Sequence, residues 1–182
     1  MFCETLLLMP NFYGPSSMSL FLSTYVNKID RKGRVSVPAT FRLGMAKSVF
    51  QGVIIFRSYK HPALEVCEME RMMRLSDSVD KLDLFSDIQD DFAATLFADS
   101  HQIPFDGEGR ILMPEILLDY AEIKEAAAFV GRGSTFQIWN PAAFEIYQEK
   151  ARLRIKDQKD TLKLDASLQK SSGSTSGEFF NA

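Results

Sequence analysis

The chain has 182 residues, an apolar fraction of 46%, a charged fraction of 25% and a formal net charge of −3, values typical of a soluble globular protein. Its two cysteines, Cys3 and Cys67, are too few for a disulfide framework, which favours a reducing cytoplasm. No apolar run approaches the roughly 18 residues of a membrane-spanning helix, so we expect no membrane partner.

Residues 1–17 precede the first predicted element. They are rich in Pro, Gly and Ser and show no periodicity, so we expect a disordered extension ahead of Met18. A first strand is predicted over residues 20–29. Four apolar residues of this strand are expected to face the interior: Leu20, Leu22, Val26 and Ile29.

The strand leads into a motif that occurs twice. Residues 30–38 read Asp-Arg-Lys-Gly-Arg-Val-Ser-Val-Pro, and residues 106–114 read Asp-Gly-Glu-Gly-Arg-Ile-Leu-Met-Pro. An Asp shortly before a Gly is typical of a tight turn, because the carboxylate accepts from nearby backbone amides and Gly adopts a positive φ. The alternating apolar residues predict a short strand, and the Pro predicts a helix start. Each copy is therefore a turn, a strand and the beginning of a helix.

The segments after the two motifs also correspond. Gly44 is a plausible end for the first helix, and short apolar runs then predict strands joined in hairpins. The runs in the first half are residues 52–56 and 64–67, and their counterparts are 126–130 and 136–139. We expect two β-rich halves that pack on each other about a pseudo-twofold axis. One half of about fifty residues would bury too little surface to be safely stable alone.

An acidic stretch, residues 71–99, separates the halves and is predicted to form connecting helices. Ser86 and Gln89 have the spacing of a helix capping box. Apolar residues recur at helical spacing in two groups: Met69, Met72, Met73 and Leu75, then Phe85, Ile88, Phe92 and Leu96. Such a stripe favours a core or subunit contact over a cofactor site.

A last helix follows Trp139-Asn140-Pro141. It is predicted to begin near Ala142, and residues 145–162 are assigned to it as the C-terminal helix. Residues 163–182 are rich in Ser, Gly and Lys and predict a disordered tail.

Charge is distributed unevenly along the chain. Residues 18–60 carry eight Lys or Arg against Asp30 alone, whereas residues 61–130 carry five basic and sixteen acidic residues. A cationic module is therefore attached to an acidic body. This asymmetry favours a polyanionic partner, although a basic face that is merely solvated is the plain alternative.

The first turn carries the cations that best fit nucleic acid. Arg31, Lys32 and Arg34 lie on and beside it, where side chains point outward. Arg offers a rigid fork of donors that matches two phosphate oxygens or the edge of guanine, and Lys acts as a mobile point charge. At the equivalent positions the second turn has Gly107 and Glu108, which would repel phosphate.

Both copies keep an Arg, and this allows a second interpretation. Arg34 and Arg110 are also explained if each bonds to the Asp of its own turn and only holds the fold. Arg31 and Lys32 have no counterpart in the second copy, so for them the alternative is a solvated turn.

The sequence gives little support for a catalytic site or a cofactor site. Asp30 and Asp106 suggest an aspartic-protease dyad, but the two cations that follow Asp30 would keep it ionised. The histidines and cysteines lack metal-ligand spacing, and Gly131-Arg132-Gly133 is a lone Gly-x-Gly. We therefore expect no enzyme activity, no metal and no cofactor.

The doubled motif resembles the MraZ family of bacterial transcriptional regulators, which has tandem SpoVT/AbrB-like domains. The residues that carry the likeness are 25–42, the second Asp-x-x-Gly-Arg-x-x-x-Pro, and Val130-Gly131 followed by Phe136-Gln137-Ile138-Trp139. The resemblance covers about residues 20–150. It implies an α+β, β-rich fold in which AbrB-like repeats at 24–70 and 100–144 form one pseudo-twofold swapped-hairpin β-barrel, with helices between and after them.

The resemblance also implies a function. It implies a ring-shaped homo-oligomer in the cytoplasm, associated with the nucleoid. Its partner would be double-stranded DNA with direct repeats upstream of its own operon, the division and cell-wall gene cluster, where it usually acts as a repressor.

Carried over by motif position, the DNA-contacting residues of the family are Lys32 and Arg34. We expect Arg31 and Lys28 to assist them. Glu108 departs from the Gln that is usual in the second motif, which makes DNA contact by that half less favourable. The remaining motif residues are expected to be structural: Asp30, Gly33, Pro38, Asp106, Gly109, Arg110 and Pro114.

Two other hypotheses remain open. The acidic body and the Met-rich helix are consistent with an oligomeric protein-interaction scaffold that does not bind DNA. The other is a hydrolase that uses Asp30 and Asp106, which could be excluded by replacing both with Asn and measuring any activity found.

Overall fold

The structure is a computed structural model that describes residues 20–83 and 86–157. The predicted extension at 1–17, Phe85 and the predicted tail at 163–182 lie outside these residues. The strands are β1 (Thr24–Lys28), β2 (Arg34–Ser36), β3 (Gly52–Arg57), β4 (Ala63–Cys67), β5 (His101–Pro104), β6 (Arg110–Leu112), β7 (Ala126–Gly131) and β8 (Phe136–Trp139). The helices are α1 (Ala39–Gly44), α2 (Met69–Val79), α3 (Asp87–Phe92), α4 (Glu115–Tyr120) and α5 (Pro141–Asp157), and a π-helical turn, Ala93–Ala98, continues α3.

The same order of elements occurs twice. Two strands, a short helix and two more strands make up β1 to β4 with α1, and again β5 to β8 with α4. Pro38 and Pro114 start the two short helices, because their carbonyls accept the first helical amides at 2.9–3.2 Å. The four strands predicted after the motifs and the helix end at Gly44 agree with the structure, whereas the first strand is shorter than the predicted 20–29.

The strand pairs within residues 20–83 and 86–157 are all antiparallel, and most of them join one half to the other. The hairpins β3–β4 and β7–β8 lie within a half, whereas β1–β7, β2–β6, β3–β5 and β4–β8 cross between halves. The main sheet has the order β1-β7-β8-β4-β3-β5. Exchanging the halves maps this order onto itself, so the two halves are equivalent in topology.

The main sheet is open, with β1 and β5 at its ends. The strands β2 and β6 form a separate two-stranded sheet, connected to β1 by an isolated bridge between Ile29 and Val35. The described residues thus form one open β-sheet and a separate two-stranded ribbon. They do not form the single closed barrel expected from the resemblance.

The core is built from aromatic residues of both halves. Phe136 lies 5.1 Å from Phe21 and 4.8 Å from Phe41, measured between ring centroids, and Tyr25 packs edge-on against Phe41. The predicted inward face of the first strand is wrong for three of its four residues. Leu20, Leu22 and Val26 are 68%, 59% and 58% exposed, whereas Ile29 packs against the core. The opposite row of the strand faces inward because it carries the larger aromatic rings.

The connecting helices cover a second apolar cluster. Met72 is buried on Ile54, Phe56 and Cys67, with Met69 and Leu75 partly buried beside it. The remainder of the predicted stripe, where the structure describes it, is partly buried at Leu96 and largely exposed at Met73, Ile88 and Phe92. Ser86 caps α3 by accepting a hydrogen bond from the amide of Gln89 at 3.2 Å.

The last helix, α5, begins at Pro141 and is capped by Asn140, whose Oδ1 accepts from the amide of Ala142 at 3.0 Å. The chain divides into two compact units within this helix, after Glu145. The sheets and both turns belong to the first unit. In the second, the guanidinium of Arg154 lies 5.8 Å from the centre of the Tyr147 ring. Within the described part of the chain, every helix is too short or too polar to span a bilayer.

Candidate nucleic-acid interface

The first turn is closed by the side chain of Asp30. Its Oδ1 accepts from the amides of Lys32 at 2.8 Å and Arg34 at 3.0 Å. Its Oδ2 accepts from Nε of Arg34 at 2.7 Å and lies 2.6 Å from Nη2. The amide of Gly33 donates to the Asp30 carbonyl at 2.9 Å, and Gly33 has a φ of +79°, a conformation that side chains disfavour. Local chemistry thus fixes the turn.

The second turn has the same set of bonds. Asp106 Oδ1 accepts from the amides of Glu108 and Arg110 at 2.9 Å, and Oδ2 accepts from Nε of Arg110 at 2.8 Å. The amide of Gly109 donates to the Asp106 carbonyl at 2.9 Å, and its φ is +72°. The two turns therefore share the backbone bonds and the Nε bond that close them, and the first turn adds the Nη2 contact of Arg34. They differ in the side chains they present.

These hydrogen bonds keep both acids ionised. The bonds from the backbone amide and the side chain of Arg34 lower the pKa of Asp30 from 3.8 to about 2, and Arg110 lowers the pKa of Asp106 to about 2 in the same way. A protease dyad shares one proton between two carboxyls. Carboxyls with a pKa of about 2 hold no proton at neutral pH, so the geometry argues against that use of the pair.

The sequence-predicted cations lie close together in the fold, on and just before the first turn. Arg31 and Lys32 are exposed, and neither forms an ion pair within the described residues. Lys28 is exposed at the end of β1, two residues before the turn begins. Arg34 is different, because its guanidinium is held by Asp30 while its side chain remains 36% exposed.

The two turns lie at opposite ends of the ribbon formed by β2 and β6. In this antiparallel pair Arg34 is opposite Leu112, and Ser36 is opposite Arg110. Val35 and Ile111 are buried beneath the ribbon, so the other positions face outward. Each turn leads directly into its own strand, which places a cationic turn at one end of the outward face and an acidic turn at the other.

Two residues at these turns were missed by the sequence analysis. Leu112 is exposed, and its side chain lies 3.9 Å from the position that a Cβ on Gly33 would occupy. Arg42 packs its guanidinium against Gly109 and donates from Nε to the Val37 carbonyl at 3.2 Å. Both contacts join one half to the turn of the other. Only a correct guess of the pairing between β2 and β6 would have revealed them.

The candidate metal ligands do not assemble in the described residues. No group of three or more His, Cys, Asp or Glu within residues 20–83 and 86–157 is arranged to hold a metal ion. His61 lies 5.3 Å from Trp139, measured between ring centroids, and His101 contacts the Asp99 carbonyl at 3.1 Å.

Comparison with known proteins points to one family. Residues 96–166 match a family model described as "MraZ protein, putative antitoxin-like". The chain is 43% identical over 154 residues to a protein of Pelagibacter ubique named transcriptional regulator MraZ, an alignment that covers 85% of this chain and 99% of the relative. A protein of the same name from Rickettsia felis is 40% identical over 146 residues, which cover 80% of this chain and 98% of the relative.

Proposed function

The chain belongs to the MraZ family of transcriptional regulators, and we propose that it binds specific DNA sequences through the first turn. In this proposal Lys32 and Arg34 make the principal contacts, and Arg31 and Lys28 assist. The protein acts in the cytoplasm, at the nucleoid, as a ring-shaped homo-oligomer. It occupies direct repeats upstream of its own operon, the division and cell-wall gene cluster, and represses it.

One observation carries the proposal: two turns with the same hydrogen bonds have opposite charge. Asp, Gly and Arg are common to both turns, and every side chain that closes them is that of the Asp or the Arg. Arg31 and Lys32 contribute only their backbone to the fold of the turn. Two exposed cations without an ion pair within the described residues are available for a polyanion.

Arg34 is compatible with both roles that the sequence left open, a structural bond to Asp30 and a contact with DNA. Its Nε donates to Asp30, as Nε of Arg110 donates to Asp106, and its Nη2 also lies 2.6 Å from Asp30. In the second turn Nη1 of Arg110 also lies 2.5 Å from Glu108, whereas Lys32 occupies the equivalent position beside Arg34. A partly exposed guanidinium that is oriented by one carboxylate can still offer a donor to phosphate or guanine.

The pairing between halves supports the finer fold proposal. Four of the six strand pairings in the described part of the chain cross between residues 24–70 and 100–144, as a swapped-hairpin arrangement of two AbrB-like repeats requires. In this scheme residues 71–99 connect the repeats, residues 145–162 form the C-terminal helix, and 1–17 and 163–182 flank the folded part.

A ring would compensate for the small charge of each contact. One turn with two or three phosphate contacts binds DNA weakly, but several linked subunits on phased repeats gain through effective concentration. The logarithm of the binding constant should then fall with the logarithm of salt by about 0.9 for each phosphate neutralised.

The test replaces Arg31 and Lys32 together with Ala and measures retardation of a DNA fragment from the chain's own upstream region at two salt concentrations. We expect a loss of about tenfold or more in affinity and a shallower salt dependence, because each lost phosphate contact removes its share of counterion release. Footprinting on the same fragment would locate the repeats.

The matched control replaces Lys60 and Lys124, two exposed cations outside the turn, and should bind as the wild type does. Light scattering should give the same oligomer for all three proteins. Unchanged DNA binding by the turn variant would refute the proposal, and a wild-type protein that assembles without retaining DNA would favour the scaffold.

A further inference from the structure

We infer that the second turn is a silenced nucleic-acid loop and that Glu108 silences it. This inference rests on the proposed function and extends it to the other half of the molecule. Glu108 would determine which of two equivalent turns contacts DNA, which makes it a specificity-determining residue that lies outside the contact itself.

The two turns have the same backbone conformation and the same Asp hydrogen bonds. The carboxylate of each Asp makes the same three hydrogen bonds, and each Gly has a φ near +75°. The backbone of the second turn is therefore shaped like that of the first. Shape alone gives no reason for only one of them to bind DNA.

Glu108 forms an ion pair with Arg110. Its Oε2 lies 2.5 Å from Nη1 of Arg110, so it occupies a donor that does not bind the turn Asp. Its side chain is 70% exposed, which presents the carboxylate to solvent at the position where Lys32 presents an ammonium in the first turn. Glu108 both neutralises Arg110 and repels an approaching phosphate.

Two cations, Arg42 and Arg110, lie at the second turn. Arg42 packs its guanidinium against Gly109, whereas the equivalent residue in the second half is Leu118, which packs against the core. Without Glu108, the charges of Arg42 and Arg110 would exceed the charge of Asp106 by one. The second turn is thus suppressed by a single carboxylate rather than lacking cations.

This suppression has a consequence for how the molecule reads DNA. Two equally active turns would let a molecule with two equivalent halves bind a site in either orientation. One active turn gives each subunit a single polarity on the duplex. Subunits that are repeated around a ring then read the sequence in the same direction.

The second turn has space for the side chains that the first turn carries. Gly107 lies outside the positive-φ region, and a Cβ added there would meet no atom within 4 Å. The dipeptides at 31–32 and 107–108 can therefore be exchanged. The exchange variant carries Arg31→Gly, Lys32→Glu, Gly107→Arg and Glu108→Lys, and its amino-acid composition equals that of the wild type.

The experiment compares retardation of the upstream DNA fragment by the wild type, the exchange variant and a variant with only Arg31→Gly and Lys32→Glu. We expect the last to lose affinity by about tenfold or more and the exchange variant to recover to within about tenfold of the wild type, with a similar salt slope. An exchange variant that melts and assembles as the wild type does, yet binds as poorly as the first-turn variant, would overturn the inference.

A milder change tests the same idea if the exchange variant misfolds. Glu108→Gln should raise the affinity of the wild-type protein a few-fold and steepen its salt dependence, and unchanged values would contradict the role of Glu108. Asp119→Asn, which removes an exposed acid outside both turns, is the matched control. If the wild type itself fails to bind DNA, the proposed function falls and this inference falls with it.

Discussion

At the scale of single residues, Asp30 and Asp106 perform the same structural task in turns of opposite charge. Each carboxylate accepts two backbone amides and one guanidinium nitrogen. The turn could be predicted from sequence because every partner lies within four residues. The side chains that close the turns are therefore distinct from those that set the charge of each turn.

The acids give stability a defined pH dependence. The pKa of each carboxyl is lowered from 3.8 to about 2 in the folded protein, first by the hydrogen bond from the backbone amide of Arg34 or Arg110. A lowered pKa contributes stability that is fully present above about pH 4 and is lost as the pH falls through about 2. We expect the free energy of unfolding, from urea titrations at several acidic pH values, to decrease across this window.

Variants assign that pH dependence to the turns. Asp30→Asn or Asp106→Asn should be less stable at neutral pH and should show a smaller decrease between pH 4 and pH 2, because one of the two ionised acceptors is gone. Asp119→Asn, with an exposed carboxyl outside both turns, should keep the wild-type profile. Identical profiles for all three variants would show that the turn acids do not govern acid stability.

The residues of the candidate interface were only partly predictable at this scale. Arg31 and Lys32 stood out because the second copy has Gly107 and Glu108 at these positions. The contact of Arg42 with Gly109 joins residues far apart in sequence, as does the contact of Leu112 with Gly33. No local pattern encodes such contacts, since they depend on which strand pairs with β2.

At the scale of secondary-structure elements, β1 shows why alternation alone misassigns a face. Its two rows of side chains are both partly apolar, with Leu22 and Val26 on one and Phe21 and Tyr25 on the other. The row with the aromatic rings faces inward because Phe21 packs on Phe136, more than one hundred residues away, and Tyr25 packs on Phe41. Ser23, directly before β1, has a φ of +73°. Neither feature can be inferred from the strand by itself.

The helix α2 protects a thiol, and this gives a probe of its motion. Cys67 lies under the helix beside Met72 and is 2% exposed, and burial raises the pKa of its thiol to about 12. Because the thiolate is the reactive form, alkylation at pH 8 should require opening of the cluster. In a Cys3→Ser background, we expect labelling in the native state to be slower by about a hundredfold or more than in urea.

Two methionines of α2 provide the matched comparison for this probe. Met72→Ala should accelerate labelling of Cys67, because truncating a buried side chain in the same cluster leaves a cavity that costs about 2–5 kcal/mol. Met73→Ala, at a position that is 43% exposed, should leave the rate unchanged. Equal rates for both variants would mean that the thiol is reached without movement of the helix.

At the scale of the whole molecule, the fold depends on pairing between halves. The repeated motif allowed the sequence to predict two equivalent halves and their strands. The repeat alone could not predict which strands pair, because equivalence under exchange of the halves is satisfied both by two separate domains and by one interleaved sheet. The interleaved alternative was implied only by the family resemblance. The strand order β1-β7-β8-β4-β3-β5 shows the interleaved solution, in which each half supplies strands that the other needs.

Such interleaving makes each half unstable on its own. In residues 20–83 alone, β1 would lack β7 and β2 would lack β6, and Phe21 and Phe41 would lose the ring of Phe136 on which they pack. We expect fragments 20–83 and 86–157, expressed separately, to show no cooperative thermal transition by circular dichroism. Expressed together, they should associate and melt in one transition, since the cross-half strand pairs can then form.

The aromatic contact across the halves should govern this association. Phe136→Ala in the second fragment should weaken it by about 3–5 kcal/mol, because the truncated ring leaves a cavity between Phe21 and Phe41. Phe92→Ala, at a position that is 45% exposed, should leave the association unchanged. Size-exclusion chromatography of the mixed fragments measures both effects. A first-half fragment that melts cooperatively by itself would instead mean that the halves are independent domains and that their cross-half pairing is dispensable for folding.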